Sequence, residues 1–151
     1  MILIAHRGNI SGPDQKKENH PDHLMSAIKL GFDVETDVWF IGNKFYLGHD
    51  NPSYEIDSQF LKNNNFWCHA KNIDALHEML KCEDIHCFWH QEDDVTLTSR
   101  GYIWTYPSKE LFKGSVCVMP ETCGYSDDSL LECHGICTDL VHFYEKTLSV
   151  L

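Results

Sequence analysis

The chain has 151 residues, a 42% hydrophobic share and no Pro/Ser/Gly linker, enough for one domain with its own core over 1–151. Twelve Lys and Arg against 23 Asp and Glu leave a formal net charge of -11. Such a surface repels polyanions at long range, which argues against nucleic acid or an anionic membrane as a partner; a small phosphate ester stays compatible, because a metal ion and a few local cations can reverse the field inside a cleft.

The chain opens on a strand-like run, Ile2-Leu3-Ile4-Ala5, too short for an export signal, and ends it in His6-Arg7-Gly8. His20-Pro21-Asp22 opens a helix with Pro21 at its first position, an apolar face of Leu24, Ala27, Ile28 and Leu30, and Gly31 at its C-terminal cap. The next strand, Phe32 to Phe40, alternates Val34, Thr36 and Val38 against Glu35 and Asp37. Gly42-Asn43 turns it into a hairpin arm, Asn43 to Leu47, that leads to Gly48-His49-Asp50.

A helical stretch is read over Tyr54 to Leu61, then a strand from Phe66 to Ala70 carrying His69 and followed by Lys71. Asn72 caps a helix that buries Ile73, Leu76, Met79 and Leu80. Four short strands follow, at Cys87–His90, Tyr102–Thr105, Val116–Met119 and Gly135–Thr138, with weaker helices at Ser108–Phe112 and Ser126–Cys133.

Strands alternating with helices imply parallel βαβ units. Seven or eight of them predict an α/β fold, a compact TIM-type β/α barrel. Such barrels usually take at least ~200 residues, so the expectation is a reduced one with short helices, and an open doubly wound sheet is the alternative. A barrel with little helix cover exposes apolar strand faces, which favours a homodimer that hides them.

The seven cysteines include no Cys-x-x-Cys pair. Cys133, His134 and Cys137 lack the second ligand pair of a usual zinc site. The odd cysteine count and the strand-like start suggest a reducing, cytoplasmic setting. No stretch approaches the ~20 apolar residues of a membrane span, so no stable membrane anchor is expected.

Parallel α/β folds place working residues at the C-terminal ends of strands. His6-Arg7, Glu35-x-Asp37, His49-Asp50 and His69-x-Lys71 all fall there. Glu35 and Asp37 are two apart and share one face of their strand. If both faces of that strand are covered, two carboxylates need a counter-charge, and a divalent cation such as magnesium or calcium supplies it. His90, Trp104 and Glu121 lie at later strand ends and are further candidates for the cleft.

Together these segments resemble the glycerophosphodiester phosphodiesterase family, including its relatives that act on sphingomyelin. The resemblance rests on His6-Arg7-Gly8, Glu18-Asn19 before a helix, Glu35-x-Asp37, Gly48-His49-Asp50, His69-Ala70-Lys71 and Gly135-Ile136-Cys137-Thr138-Asp139. It implies that Glu35 and Asp37 bind the cation and that His6 and His49 form the acid/base pair. It implies too that Arg7 and Lys71 hold the phosphate of a small phosphodiester. The family's third acidic ligand is His69 here. Imidazole is a softer donor, which brings manganese or zinc into contention, or Asp50 or Glu121 substitutes for it. Glu18 would orient Arg7 or serve as a remote metal ligand. A catalytically weak or inactive module that binds metal and phosphate is the alternative function.

Overall fold

The structure, a computed structural model, describes residues 1–148. Its centre is β1 (Ile2–His6), parallel to β2 (Asp33–Ile41) on one side and to β10 (Gly135–Thr138) on the other. Beyond β10 come β9 (Val116–Val118) and β8 (Ile103–Thr105), both parallel to their neighbours, and then β7 (Val95–Leu97), which is antiparallel.

The nine-residue β2 serves two neighbours in succession. Residues 34–38 pair in parallel with β5 (Phe66–Ala70), which continues to β6 (Cys87–Trp89). Residues 38–41 form an antiparallel hairpin with β3 (Lys44–Leu47), which is extended by β4 (Tyr54–Ile56). The result is one ten-stranded mixed sheet.

Period-two alternation sorts the residues of this sheet onto two faces. Outward go Ala5, Val34, Val38, Phe66, Cys68, Ala70 and Cys87, packed against Leu24 and Ala27 of α1 (Pro21–Lys29), Ala75 and Met79 of α2 (Ile73–Leu80), and Val141 of α4 (Val141–Leu148). Inward go Ile4, Trp67, Phe88, Trp104, Val116, Val118 and Cys137, a cluster built from strands alone. Phe88 of β6 and Trp104 of β8 do not lie on neighbouring strands, yet their rings are 4.6 Å apart, and Trp67 is 5.7 Å from Trp104. The sheet is therefore curled until its ends meet through aromatic side chains.

The expected TIM-type barrel with alternating helices is not what forms. The fold is a mostly-sheet, open half-barrel with mixed strands. Between β6 and β8 the chain spends its residues on the antiparallel β7 instead of a helix, and no helix separates β8 from β9. A doubly wound sheet does not describe it either, since aromatic residues, not helices, fill the inner face.

The helix expected over Tyr54–Leu61 is β4 plus a 3-10 turn at Phe60–Lys62, because Tyr54, Glu55 and Ile56 find a ladder on β3. Ser108 has φ 67 and no helix forms over 108–112. Ile73, Leu80 and Leu30, expected on buried helix faces, are exposed, and Ala75 with Met79 forms the buried stripe of α2 instead. The helices at Pro21 and Asn72 start as expected, and the weaker one expected over Ser126–Cys133 is the shorter α3 (Asp127–Leu131), with Ser126 as its N-cap. Among the described residues, no helix is long and apolar enough to cross a membrane.

Candidate active site

The inner face carries an apolar floor and, one pleat further toward the strand ends, a polar rim. Ile4 is followed by His6, Trp67 by His69, Phe88 by His90, and Trp104 by Tyr106, while β2 contributes Glu35 and Asp37. A cleft of about 420 Å³ is lined by His6, Arg7, Glu35, His49, His69 and Lys71, together with His90, Gln91, Trp104, Tyr106, Pro107, Val118 and Met119. That size suits a small molecule.

The two turns that present these residues are held by glycines. Gly8 has φ 88, and a Cβ there would meet His23 at 2.8 Å, so α1 closes tightly over the His6-Arg7 turn. Gly48 has φ 144, and a Cβ there would lie 2.1 Å from the Asn51 carbonyl. The Trp39 indole N–H donates to the Gly48 carbonyl at 2.6 Å and anchors the loop that carries His49.

Glu35 and Asp37 are 3% and 1% exposed, a burial that unpaired carboxylates do not tolerate. Their surroundings divide them. Burial and then the Asp37 charge push the Glu35 carboxyl up. Burial opposes the charge on Asp37 as well, but His69 and Arg7 outweigh it and hold that carboxyl far below its usual range. Arg7 Nε is 3.1 Å from Asp37 Oδ2, and Lys71 Nζ is 3.3 Å from Oδ1. Asn19 fixes the orientation: its Oδ1 accepts from Thr36 Oγ1 at 2.8 Å and from the Asp37 amide at 2.9 Å, and its Nδ2 donates to Asp37 Oδ2 at 2.9 Å.

His69 sits at the centre of the question of a cation. Its Nε2 lies 3.0 Å from the His90 carbonyl, which can only accept, so Nε2 carries the proton. Nδ1 then faces Asp37 Oδ1 at 3.2 Å and Glu35 Oε1 at 3.8 Å. One donor atom from each of Glu35, Asp37 and His69 falls within a 4.8 Å group. Asp37 Oδ1 is buried and has no hydrogen-bond partner of good geometry among the described residues. Glu18 and Asp139 are already paired with Arg7 and His6. The donor set of Glu35, Asp37 and His69 fits a divalent ion. Asp50 and Glu121 do not join this group: Asp50 Oδ1 lies 2.7 Å from His49 Nδ1, and Glu121 Oε1 accepts from Thr138 Oγ1 at 2.7 Å and the Asp139 amide at 3.0 Å.

His6 is backed by Asp139, whose Oδ1 is 2.9 Å from His6 Nδ1, while Nε2 lies 4.0 Å from Glu35 Oε2. Burial alone would lower the imidazole; the Asp139 hydrogen bond and the Glu35 charge outweigh it, and His6 sits above its usual value. Asp139 in turn is held low, against burial, by hydrogen bonds from His6 and Asn9. Glu18 accepts from Arg7 Nη1 and from Asn9 Nδ2, both at 3.1 Å, which makes it an orienter of Arg7.

Sequence reasoning assigned no role to Asn9, Asn19, Tyr106 or Asp139. Asp139 had a usable signal, since it follows a strand that pairs with β1 and so emerges beside His6. Asn9 had none: it is fully buried and donates to Glu18 and, 130 residues further along the chain, to Asp139. No protein-family model, curated protein or solved structure matches the chain.

Proposed function

We propose that the protein is a metal-dependent phosphodiesterase that cleaves a small phosphodiester, glycerophosphodiester-like, by histidine acid/base catalysis. The observation that carries the reading is the convergence of His6, Arg7, Glu35, His49, His69 and Lys71 on one cleft, with the carboxylates of Glu35 and Asp37 both buried. Binding of phosphate alone does not call for both His6 and His49 in that cleft.

In this reading Glu35 and Asp37 hold a divalent cation, with His69 Nδ1 as third donor. When bound, the cation supplies Lewis-acid polarisation of the phosphoryl oxygens. Magnesium or calcium suits the carboxylates, and the imidazole draws the preference toward manganese or zinc. Arg7 and Lys71 lend their remaining N–H groups to phosphate oxygens as charge develops there. His6 and His49 act as the acid/base pair: one takes the proton of the attacking oxygen, water or a neighbouring substrate hydroxyl, and the other protonates the leaving alcohol. Asp139 holds His6 with Nε2 free for that exchange.

Turnover of a glycerophosphodiester and a chromogenic phosphodiester, with chelator and then with each of magnesium, calcium, manganese and zinc, tests the reading. The wild type is expected to need a cation, and His6→Ala and His49→Ala each to lose at least about 100-fold in kcat with the ion still bound. A wild type as inert as both variants favours the alternative, a metal- and phosphate-binding module; full activity in chelator removes the cation from the account.

A further inference from the structure

Glu121 belongs neither to the cation group nor to the lining of the cleft, yet the chain is strained at the point that aims it. It lies in the 3-10 turn Pro120–Thr122 after β9, and that turn is entered through Met119, whose backbone is left-handed at φ 50 and ψ 51. Such a conformation is costly for any residue with a side chain, and a following proline disfavours it further. It persists because Met119 is tied on both sides. Its amide donates to the Cys137 carbonyl at 2.7 Å, and its carbonyl accepts from the Thr122 amide at 3.0 Å, the Thr122 hydroxyl at 2.8 Å and the Cys123 thiol at 3.2 Å. The turn brings the Glu121 side chain onto the end of β10.

There a single oxygen organises the strand end. Glu121 Oε1 accepts from Thr138 Oγ1 at 2.7 Å and from the Asp139 amide at 3.0 Å, and Thr138 Oγ1 accepts in turn from the Leu140 amide at 2.9 Å. Thr138, Asp139 and Leu140 are thus held by Oε1, directly or through one hydroxyl. Oε2 is buried without a hydrogen-bond partner among the described residues. Asp139 is the residue whose Oδ1 meets His6 Nδ1 and accepts from Asn9 Nδ2, both at 2.9 Å. A carboxylate only accepts, so His6 Nδ1 carries the proton. A continuous set of hydrogen bonds therefore runs from a turn outside the cleft to an imidazole inside it.

We propose that Glu121 is a positioning residue for His6: by holding the Thr138 hydroxyl and the Asp139 amide it sets the Asp139 carboxylate, and with it the Nδ1 proton and the ring orientation of His6. The proposal rests on the phosphodiester reading above for what His6 does, and deepens it. Thr138 is fully buried and Asp139 is 7% exposed, so without Oε1 their donors lose an acceptor that water does not readily replace, and the turn shifts to find another. A displacement of about 1 Å at a reacting group is worth up to about 100-fold in rate. Glutamine keeps one carbonyl oxygen, which can take the place of Oε1 and accept both bonds; alanine cannot.

The test combines turnover of a chromogenic phosphodiester with a signal that needs no turnover. Glu121→Ala is expected to lose at least about 10-fold in kcat with KM within about twofold, and Glu121→Gln to stay within about threefold of the wild type. In an Asp139→Asn background Glu121→Ala should cost less than about twofold more, because residues that act through one another do not add. The Nδ1 proton of His6 is followed by NMR of protein isotope-labelled in histidine and is identified by its loss in His6→Ala. Wild type and Glu121→Gln should show it protected from exchange with water, and Glu121→Ala should show it broadened. Should Glu121→Ala fail to fold in thermal unfolding, Thr138→Val, which removes the hydroxyl between Glu121 and Leu140, is read in its place with the same expected loss of signal. Absent turnover with this signal pattern intact removes the phosphodiesterase reading and leaves the coupling of Glu121 to His6 standing. The proposal is overturned if the wild type shows no protected His6 proton, if that proton is unchanged in Glu121→Ala, if Glu121→Gln falls as far as Glu121→Ala, or if Glu121→Ala costs as much in the Asp139→Asn background as in the wild type.

Discussion

Asn19 gives the sharpest test of the physical reasoning, because its effect does not depend on what the protein does. The side chain is 1% exposed and makes three hydrogen bonds, two accepted from Thr36 and the Asp37 amide and one donated to the Asp37 carboxylate. Taking about 1 kcal/mol for each neutral bond and about 2 for the one to a charge gives roughly 4, and water entering the cavity should return about 1 of it. Asn19 also has φ 61, where alanine is strained by about 1 kcal/mol and glycine is not. Asn19→Ala is thus expected to lose about 4 kcal/mol and Asn19→Gly about 3. Urea unfolding in chelator, with midpoints and slopes compared, measures both. Losses under 1 kcal/mol in both variants would mean that Asp37 does not depend on this scaffold.

Asp139→Asn should leave burial as the main influence on His6 and so lower its pKa; the limb of the pH–rate profile that belongs to His6 then moves to lower pH, and an unshifted profile contradicts the dyad. Asp139 itself is held low in the folded state, so its stabilisation is present above the ordinary carboxylate pKa and is lost as pH falls through the depressed value; acid unfolding of Asp139→Asn should lack that component. His86, packed between Trp67 and Tyr102, is pushed down to about 4 by burial and then by Arg100. The unfolded chain takes up a proton that the folded one refuses, so stability falls by roughly 2 kcal/mol between pH 6.5 and 4, and His86→Phe should abolish that part of the slope in urea titrations. Gly48→Ala places a methyl group against the Asn51 carbonyl and should cost at least 10-fold in kcat by displacing His49; unchanged turnover would show that the loop adapts freely.

The site was legible where the strand period could be read. Val34, Thr36 and Val38 against Glu35 and Asp37 fixed which face the carboxylates take, and that face holds them in the structure. His6, His69 and Lys71 followed from the same rule applied to neighbouring strands. The architecture was less legible, because period and length do not say whether a short segment joins a ladder or coils. Val95 to Leu97 became a strand only because β8 offered an edge, and Tyr54 to Ile56 did so because β3 did. Helix faces were misread where apolar residues such as Ile73 and Leu80 point away from the sheet. Contacts such as Asn9 with Asp139 close only after β10 returns beside β1, and no local pattern announces them.

The central claim is a divalent ion held by Glu35 and Asp37. Titration of manganese into metal-free protein, with free ion followed by electron paramagnetic resonance, measures it directly. One saturable site is expected in the wild type, lost in Glu35→Gln with Asp37→Asn, weakened at least 10-fold in His69→Ala, and retained in His6→Ala. A wild type that binds no manganese and protects no other divalent ion from a chelator, or a double variant that binds as the wild type does, would contradict the account.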